Sequence, residues 1–231
     1  MTKSWTPWIV GVIFTRTDLR RATQMRNPPD LFELRLDALF AKSEKGKAAL
    51  GDLRVPLIIT ARHPREGGLN HLSARERRAL FLRFLPYAAY VDIELRAAGT
   101  LTAILEAARA KSVRTILSFH DFQETPSRAR LDEIARAAQS LGADLLKIAT
   151  RTDTRAQLAR LLDFFRRKRP EIKIAAMGIG RLGKTARREL FRQGSILNYA
   201  HLGRNSIAGQ PSLWDIRRWT REARANASDE G

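Results

Sequence analysis

Apolar and polar positions along the chain form short and long runs that alternate from end to end. The short runs are almost continuously apolar, as in strands that are buried on both faces. The long runs repeat their apolar residues with the spacing of a helix that buries one face. Strands are predicted at Trp8–Thr15, Leu31–Leu36, Val55–Thr60, Tyr90–Ile93, Thr115–Phe119, Asp144–Ile148, Ile172–Ala176 and Ile196–Tyr199. Helices are predicted at Asp18–Gln24, Leu39–Leu50, Ala74–Leu85, Leu101–Ala110, Ser127–Ser140, Thr154–Lys168, Thr185–Arg192 and Leu213–Ala225.

This alternation predicts parallel strands that are joined by crossover helices. Eight strand–helix units favour a closed (β/α)8 barrel of the TIM type, an α/β fold that forms a single domain over residues 1–231. The small, polar tail 225–231 is expected to fray. An open doubly wound sheet is the alternative, but it normally has a glycine-rich turn after its first strand. Here Thr15-Arg16-Thr17 follows Phe14, and the absence of glycine favours the barrel.

The composition excludes some kinds of site and suggests an anionic partner. The chain has no cysteine, so it has no disulfides, thiolate zinc sites or cysteine nucleophile. Its net charge is +18, which fits nucleic acid, an anionic membrane surface or an anionic substrate. The basic residues are spread over the predicted helices as solvated faces, and the chain lacks an aromatic-basic RNA motif. We therefore expect polyanions to bind only non-specifically.

The N-terminal part contains one apolar run, Trp8–Phe14. This run is too short to span a bilayer. It also lacks the small-residue cleavage site of a secretory signal peptide. We interpret it as the first strand of a cytoplasmic protein without a membrane partner.

One lysine stands within a predicted core strand, in the segment Ala143–Ala149. A buried ammonium without a partner is costly, so such a lysine tends to lose its proton. Neutral lysine attacks carbonyl carbon and forms a Schiff base. Taken alone, however, the segment favours a simpler interpretation, in which Lys147 lies at the end of the strand and extends its charged group into water.

Further polar residues lie where the predicted strands end, and this is the face on which barrel enzymes place their chemistry. Glu33, Arg35 and Asp37 alternate along the second strand, so they should share the interior face. His120 ends the fifth strand beside Asp121. It is either a general acid–base with a pKa near neutrality or a structural histidine bonded to a loop carbonyl. Similar positions are held by Arg62, Asp92, Glu94 and the glycine-rich loop 177–184.

Together these side chains suggest one kind of chemistry. A lysine and a ketone give an iminium, which acts as an electron sink and acidifies the neighbouring C–H bond. A histidine can take that proton, and arginines can hold a carboxylate by paired hydrogen bonds. The set therefore predicts an imine-based elimination or aldol reaction on an anionic keto compound, without a metal or cofactor.

In these residues the chain resembles the type I 3-dehydroquinate dehydratases, the Schiff-base class of that shikimate-pathway enzyme. The resemblance extends from the first strand to Gln210 and the last helix. It rests on the order and spacing of several motifs, each weak alone. They are Glu33-Leu34-Arg35-Leu36-Asp37, Thr60-Ala61-Arg62, Glu66-Gly67-Gly68, Asp92-Ile93-Glu94, Ser118-Phe119-His120-Asp121-Phe122, Thr125-Pro126, Lys147-Ile148-Ala149, Met177-Gly178, Ser206 and Gly209-Gln210.

The resemblance implies a hydro-lyase that converts 3-dehydroquinate to 3-dehydroshikimate. It implies that Lys147 forms the imine, that His120 transfers the protons and that Glu66 orients His120. It also implies a substrate-binding set, which comprises Glu33, Arg35, Arg62, Arg187, Ser206 and Gln210. The resemblance further suggests a homodimer.

The chain departs from the family pattern after the seventh strand. The arginine that binds the substrate carboxylate usually lies eight residues after the methionine of the Met-Gly pair, and here that position is Thr185. Matching backwards from Gly194-Ser195 gives Arg187, with Arg181 and Arg188 as possible substitutes. In addition, Ala208 replaces a proline that is common in the closing loop.

Two other functions remain open at this stage. A class I aldolase also uses a lysine on a barrel strand, although His120 and the Glu33–Asp37 motif favour the dehydratase. A polyanion-binding protein on an inactive barrel is suggested by the net charge of +18.

Overall fold

Strands and helices alternate along a computed structural model that describes residues 7–43, 46–203 and 207–229, with side chains up to residue 225. The strands are β1 (Trp8–Ile13), β2 (Leu31–Arg35), β3 (Leu57–Thr60), β4 (Tyr90–Glu94), β5 (Arg114–Asp121), β6 (Leu145–Arg151), β7 (Ile174–Ile179) and β8 (Leu197–His201). The helices are α1 (Arg16–Gln24), α2 (Leu36–Leu39), α3 (Ala74–Phe84), α4 (Thr102–Ala110), α5 (Arg128–Ser140), α6 (Arg155–Lys168), α7 (Gly183–Arg192) and α8 (Leu213–Asp229). None of these helices is long and apolar enough to cross a membrane.

The strands form one parallel sheet that curls into a nearly closed barrel. Its order is β7-β6-β5-β4-β3-β2-β1-β8, so both ends of the sheet are consecutive strands of the chain. The two ends approach each other where the backbone N–H of Ile196 donates to the carbonyl of Ile174 at 3.1 Å. The predicted (β/α)8 TIM barrel is therefore confirmed.

One predicted helix, Leu39–Leu50, is wrong. In the described residues of this region, the chain forms the short α2 and then a 3-10 turn at Ala48–Asp52. Gly46 has a φ of +93°, a left-handed backbone conformation that an α-helix cannot contain. At the other end of the chain, α8 continues to Asp229, four residues beyond the predicted end.

The alternation of side chains along each strand separates a lower apolar layer from an upper polar layer inside the barrel. On β6, for example, Leu145 belongs to the apolar cluster that fills the lower barrel, and Lys147 stands above it. The intervening Leu146 and Ile148 point outwards and pack in the cluster between the sheet and the helices. The barrel therefore places its charged side chains together near the carboxyl ends of the strands.

Candidate active site

Lys147 occupies the middle of the barrel interior and is only 4% exposed. Its Nζ donates to Glu33 Oε1 at 3.1 Å and to Asp92 Oδ2 at 2.9 Å. The same Nζ lies 3.9 Å from the centroid of the Tyr199 ring. The interpretation of Lys147 as a strand-end lysine that reaches water is therefore wrong. The amine is buried among two carboxylates and an aromatic face.

Arg62 connects the carboxylates to the neighbouring strands. Its Nη2 donates to Asp92 Oδ2 at 2.9 Å, and its Nη1 donates to Ser118 Oγ at 2.6 Å. Burial alone would raise the pKa of Asp92, but Arg62 and Lys147 hold it well below its usual range. Asp92 is thus a permanent anion between two cations, and it fixes the position of both.

His120 and Glu66 form a second pair at the upper end of the barrel. His120 Nδ1 lies 2.8 Å from Glu66 Oε2, which also accepts from the backbone N–H of His120 at 3.2 Å. Burial lowers the pKa of His120 well below its usual value, and the nearby Arg62 and Lys147 lower it further. Burial raises the pKa of Glu66 to about 7. Because the two groups are in hydrogen-bond contact, the protonation of one determines whether the other donates or accepts.

The loop that carries Glu66 is fixed by a buried ion pair between Arg77 and Glu94. Arg77 on α3 is 2% exposed, donates from Nε to the carbonyl of Ala61 at 2.7 Å and also binds Glu94 Oε2. The other oxygen of Glu94 accepts from the backbone N–H of His63 at 2.6 Å. His63, the residue before the 3-10 turn Pro64–Glu66, is therefore held in place, and this helps to position Glu66.

The predicted trio on the second strand is divided between two elements. β2 ends at Arg35, and Asp37 lies in α2, so the expected alternation holds only for Glu33 and Arg35. Asp37 nevertheless binds Arg35 through both oxygens, at 3.0 and 2.9 Å. Arg35 Nη2 also donates to the carbonyl of Gly67 at 3.0 Å, which joins this pair to the loop of Glu66.

Arg187 is a buried cation on α7. Its Nε donates to the carbonyl of Gly178 at 2.9 Å, and no carboxylate within the described ranges lies at ion-pair distance from it. Burial lowers its pKa to about 10. The two alternative arginines are engaged elsewhere, since Arg181 binds the backbone carbonyl of Asp153 and Arg188 pairs with Glu222. The structure therefore points to Arg187 as the cation that is available to an anionic ligand.

The closing loop after β8 is described only in its second half. Ser206 lies outside the described residues, so its contact with substrate stays a prediction. Gln210 is buried at 6% exposure. The carbonyl of Ala208 accepts from the backbone N–H of Gly180 at 3.1 Å, which attaches this loop to the loop before α7.

Comparison with known proteins decides among the possible reactions. The family model described as type I 3-dehydroquinase matches residues 14–226. The chain belongs to the type I 3-dehydroquinase family. This membership confirms the prediction of a Schiff-base hydro-lyase of the shikimate pathway that acts on 3-dehydroquinate, and the aldolase alternative loses its basis. Binding of polyanions stays a prediction.

Individual members of the family resemble the chain over most of its length. It is 35% identical over 188 residues to a 3-dehydroquinate dehydratase of Methanocaldococcus jannaschii, which covers 80% of this chain and 83% of the relative. It is 29% identical over 212 residues to that of Thermococcus onnurineus, with 91% and 95% covered. The crystal structure of the 3-dehydroquinate dehydratase from Geobacillus kaustophilus gives a TM-score of 0.86 at 28% identity, with 95% and 91% covered.

For a type I 3-dehydroquinase, three side chains in this barrel were not anticipated from the sequence. Tyr199 was taken only as the end of a strand, yet it contacts Lys147. Arg77 was assigned to a solvated helix face, which is wrong because it is buried against Glu94. The third is Arg96, whose Nε lies 2.7 Å from Glu66 Oε1. The inward position of Tyr199 in the strand alternation was the one available indication.

No group of three or more His, Cys, Asp or Glu side chains in the described part of this family member is arranged to hold a metal ion. The carboxylates of the barrel are instead paired with Lys147, Arg62, Arg77 and Arg35.

Proposed function

We propose that Lys147 forms the Schiff base with C3 of 3-dehydroquinate and that His120 transfers the protons. The observation that carries this assignment is the position of Lys147 Nζ. It lies in the barrel interior between Glu33 and Asp92, and the charge of Lys147 acts on the imidazole of His120. The amine of Lys147 and the imidazole of His120 therefore lie in the same part of the barrel, as a nucleophile and an acid–base group.

The proposed reaction begins when the Lys147 ammonium gives a proton to His120 and the neutral Nζ attacks the C3 ketone; His120 then returns this proton to the carbinolamine hydroxyl, which leaves as water. Loss of water from the carbinolamine gives an iminium, which acidifies the C2–H bond. His120 removes the C2 proton, and the electron pair moves into an enamine. The enamine expels the C1 hydroxyl, to which His120 returns the proton, and hydrolysis of the imine releases 3-dehydroshikimate and Lys147. The net change is the loss of one water from C1 and C2.

Glu66 supports His120 by setting the position of its proton. When Glu66 is ionised, Nδ1 of His120 donates to it and Nε2 is left with a free lone pair. When Glu66 is protonated, it donates to Nδ1 instead, and Nε2 carries the hydrogen and is not a base. Arg96 favours the ionised form because its Nε lies 2.7 Å from the other oxygen of Glu66.

The substrate carboxylate is proposed to bind Arg187, because this buried guanidinium has no carboxylate partner of its own in the described structure. Glu33 and Arg35 are proposed to hold the ring hydroxyls, and Arg62 is proposed to line the pocket; all three are buried in the upper polar layer. Ser206 and Gln210 are proposed to cover the substrate from the closing loop. Burial of Gln210 supports its part of this assignment.

We further propose that the chain acts as a single catalytic domain, as a homodimer in the cytoplasm. The support is the family resemblance and the absence of cysteine, which suits a reducing compartment. Light scattering on the purified protein tests the dimer. A mass of twice 26.1 kDa is expected, and a mass of one chain at enzymatic working concentrations contradicts it.

The assignment of Lys147 is tested by replacing it with alanine and following the appearance of the conjugated enone of the product. Lys147→Ala is expected to abolish turnover, because no other lysine of the described strands points into the barrel. The matched control is Lys111→Ala, at an exposed helix end, which should behave like the wild-type protein. Substantial turnover by Lys147→Ala would remove the proposed mechanism.

A further inference from the structure

Tyr199 is the buried side chain near Lys147 to which the mechanism above assigns no role. It lies on β8, is 3% exposed and holds its ring face 3.9 Å from Lys147 Nζ. Its hydroxyl is fully buried and has no hydrogen-bond partner in the described part of the chain. A buried hydroxyl without a partner is unfavourable, and in native proteins such a group is usually satisfied by a water molecule, an ion or a ligand.

The surroundings of this hydroxyl identify what it can bind. The charged groups that act on it are Glu33, Asp92, Arg62 and Arg187. Glu33, Asp92 and Arg62 are already paired with Lys147 or with one another. Arg187 has no carboxylate partner within the described ranges and bonds only to the carbonyl of Gly178. Tyr199 and Arg187 also line one small cavity. A phenol and a guanidinium without a carboxylate partner therefore both offer donors beside this cavity, and an anionic acceptor would satisfy both.

We infer that the Tyr199 hydroxyl donates a hydrogen bond to the substrate carboxylate, which it shares with Arg187. This inference rests on the proposed function. The contact of the Tyr199 ring with Nζ fixes the phenol relative to the carbon that becomes the imine. In 3-dehydroquinate the carboxylate is borne by C1 and the ketone by C3, so the two groups stand in a 1,3 relationship. Tyr199 would therefore contact both reacting ends of the substrate, with its ring near the C3 imine and its hydroxyl at the C1 carboxylate.

Tyr199 is on this view a specificity-determining residue. It would favour substrates that carry a carboxylate at this distance from the ketone. It would also disfavour analogues without one, since they leave a buried phenol and a buried guanidinium unsatisfied.

The test compares Tyr199→Phe with the wild-type protein and with Tyr90→Phe. The first variant keeps the ring over Lys147 and removes only the hydroxyl. The second removes the hydroxyl of a buried tyrosine at the opposite end of the barrel, where Tyr90 accepts a partly buried hydrogen bond from Arg114 Nη1 at 2.7 Å. Tyr199→Phe is expected to raise KM roughly tenfold with little change in kcat, the usual effect of losing a hydrogen bond to a charged group. Tyr90→Phe is expected to leave KM unchanged.

A double-mutant cycle with Arg187→Met then identifies the shared acceptor. If both side chains bind one carboxylate, Tyr199→Phe should have a much smaller effect in the Arg187→Met background than in the wild type. A KM for Tyr199→Phe within twofold of the wild type, or two effects that simply multiply, overturns the inference.

Borohydride trapping separates a failure of this inference from a failure of the proposed function. Under saturating substrate, Tyr199→Phe should still form the adduct on Lys147. An adduct without any change in KM refutes only the role of Tyr199. A missing adduct in the wild-type protein refutes the Schiff-base assignment itself.

Discussion

Glu66 Oε2 lies 2.8 Å from His120 Nδ1, and this contact makes the two residues one acid–base unit. Burial acts on them in opposite directions, since it lowers the pKa of His120 and raises that of Glu66 to about 7. The first proton that the pair takes up on acidification is therefore expected near pH 7. That proton prevents His120 from acting as a base through Nε2.

Glu66→Gln is predicted to move the acid limb of the pH profile of kcat/KM. In the wild type, activity should fall as the pH decreases through about 7, because the pair is then protonated. In the variant only His120 titrates, with its pKa well below 6.5, so the limb should lie at lower pH. The plateau above pH 8 should drop roughly tenfold, because the imidazole is no longer oriented by a carboxylate. An unchanged limb would show that this pair does not control the base.

Asp92→Asn is predicted to destabilise the fold. Asp92 is fully buried between Lys147 and Arg62, at 2.9 Å from each, and the variant leaves both cations with less compensation. The free energy of unfolding should fall by about 3 kcal/mol, as is common when one partner of a buried ion pair is removed. Urea unfolding measures this. The control is Asp163→Asn, which breaks an exposed pair with Arg167 and should change little; equal effects of the two variants would contradict the account.

Arg187→Met is predicted to separate binding from stability. KM should rise roughly 10- to 100-fold, because a charge-assisted contact to the substrate carboxylate is lost. The melting temperature should stay constant or increase, since burying a guanidinium without a carboxylate partner is unfavourable to the fold. Arg188→Met, which breaks a half-exposed pair with Glu222, is the matched control. A rise in KM for Arg188→Met alone would transfer the carboxylate site to that residue.

Gly209→Ala is predicted to weaken substrate binding through the closing loop. Gly209 has a φ of +83°, and a Cβ on it would lie 2.8 Å from the Cα of Gly183. The loop must therefore move away from α7 and take Gln210 with it, which should raise KM severalfold. In Gly51→Ala the new methyl group meets nothing within 4 Å, so its KM should match the wild type. The same KM for both alanine variants would show that the close approach of Gly183 and Gly209 is not needed.

The alternation of side chains along a strand helped to predict which polar residues face the barrel interior, because it follows from backbone geometry. The alternation predicted that Glu33 and Arg35 share the interior face, and both lie buried on β2. Lys147 lies on a predicted core strand and His120 directly follows one, and the structure places both residues on strands of the barrel. The pairing of Glu33 with Lys147 joins residues 114 positions apart, so no local pattern contained it. The family resemblance, not periodicity, brought Glu66 and Arg187 into the predicted site.

The errors have a common physical origin, which is that local patterns assign a side chain to a face without knowing its partners. Arg77 occupies a polar position of α3 and was taken as solvated, but Glu94 from β4 provides a buried counter-charge. The sequence pattern predicts only an apolar strand position for Tyr199. Its contact with Lys147 forms when the barrel closes, so no local pattern indicates it. The helix predicted at Leu39–Leu50 failed because the left-handed conformation of Gly46 outweighed the helical propensity of its neighbours.

Lys147 Nζ is expected to become covalently bound to the substrate, and one measurement tests this directly. The protein is incubated with 3-dehydroquinate and borohydride, which reduces an imine to a stable amine, and the mass of the intact chain and of its peptides is determined. One adduct per chain is expected, on the peptide that contains Lys147, and none is expected in Lys147→Ala. An adduct on another lysine, or no adduct in a folded protein that turns over substrate, would contradict this expectation.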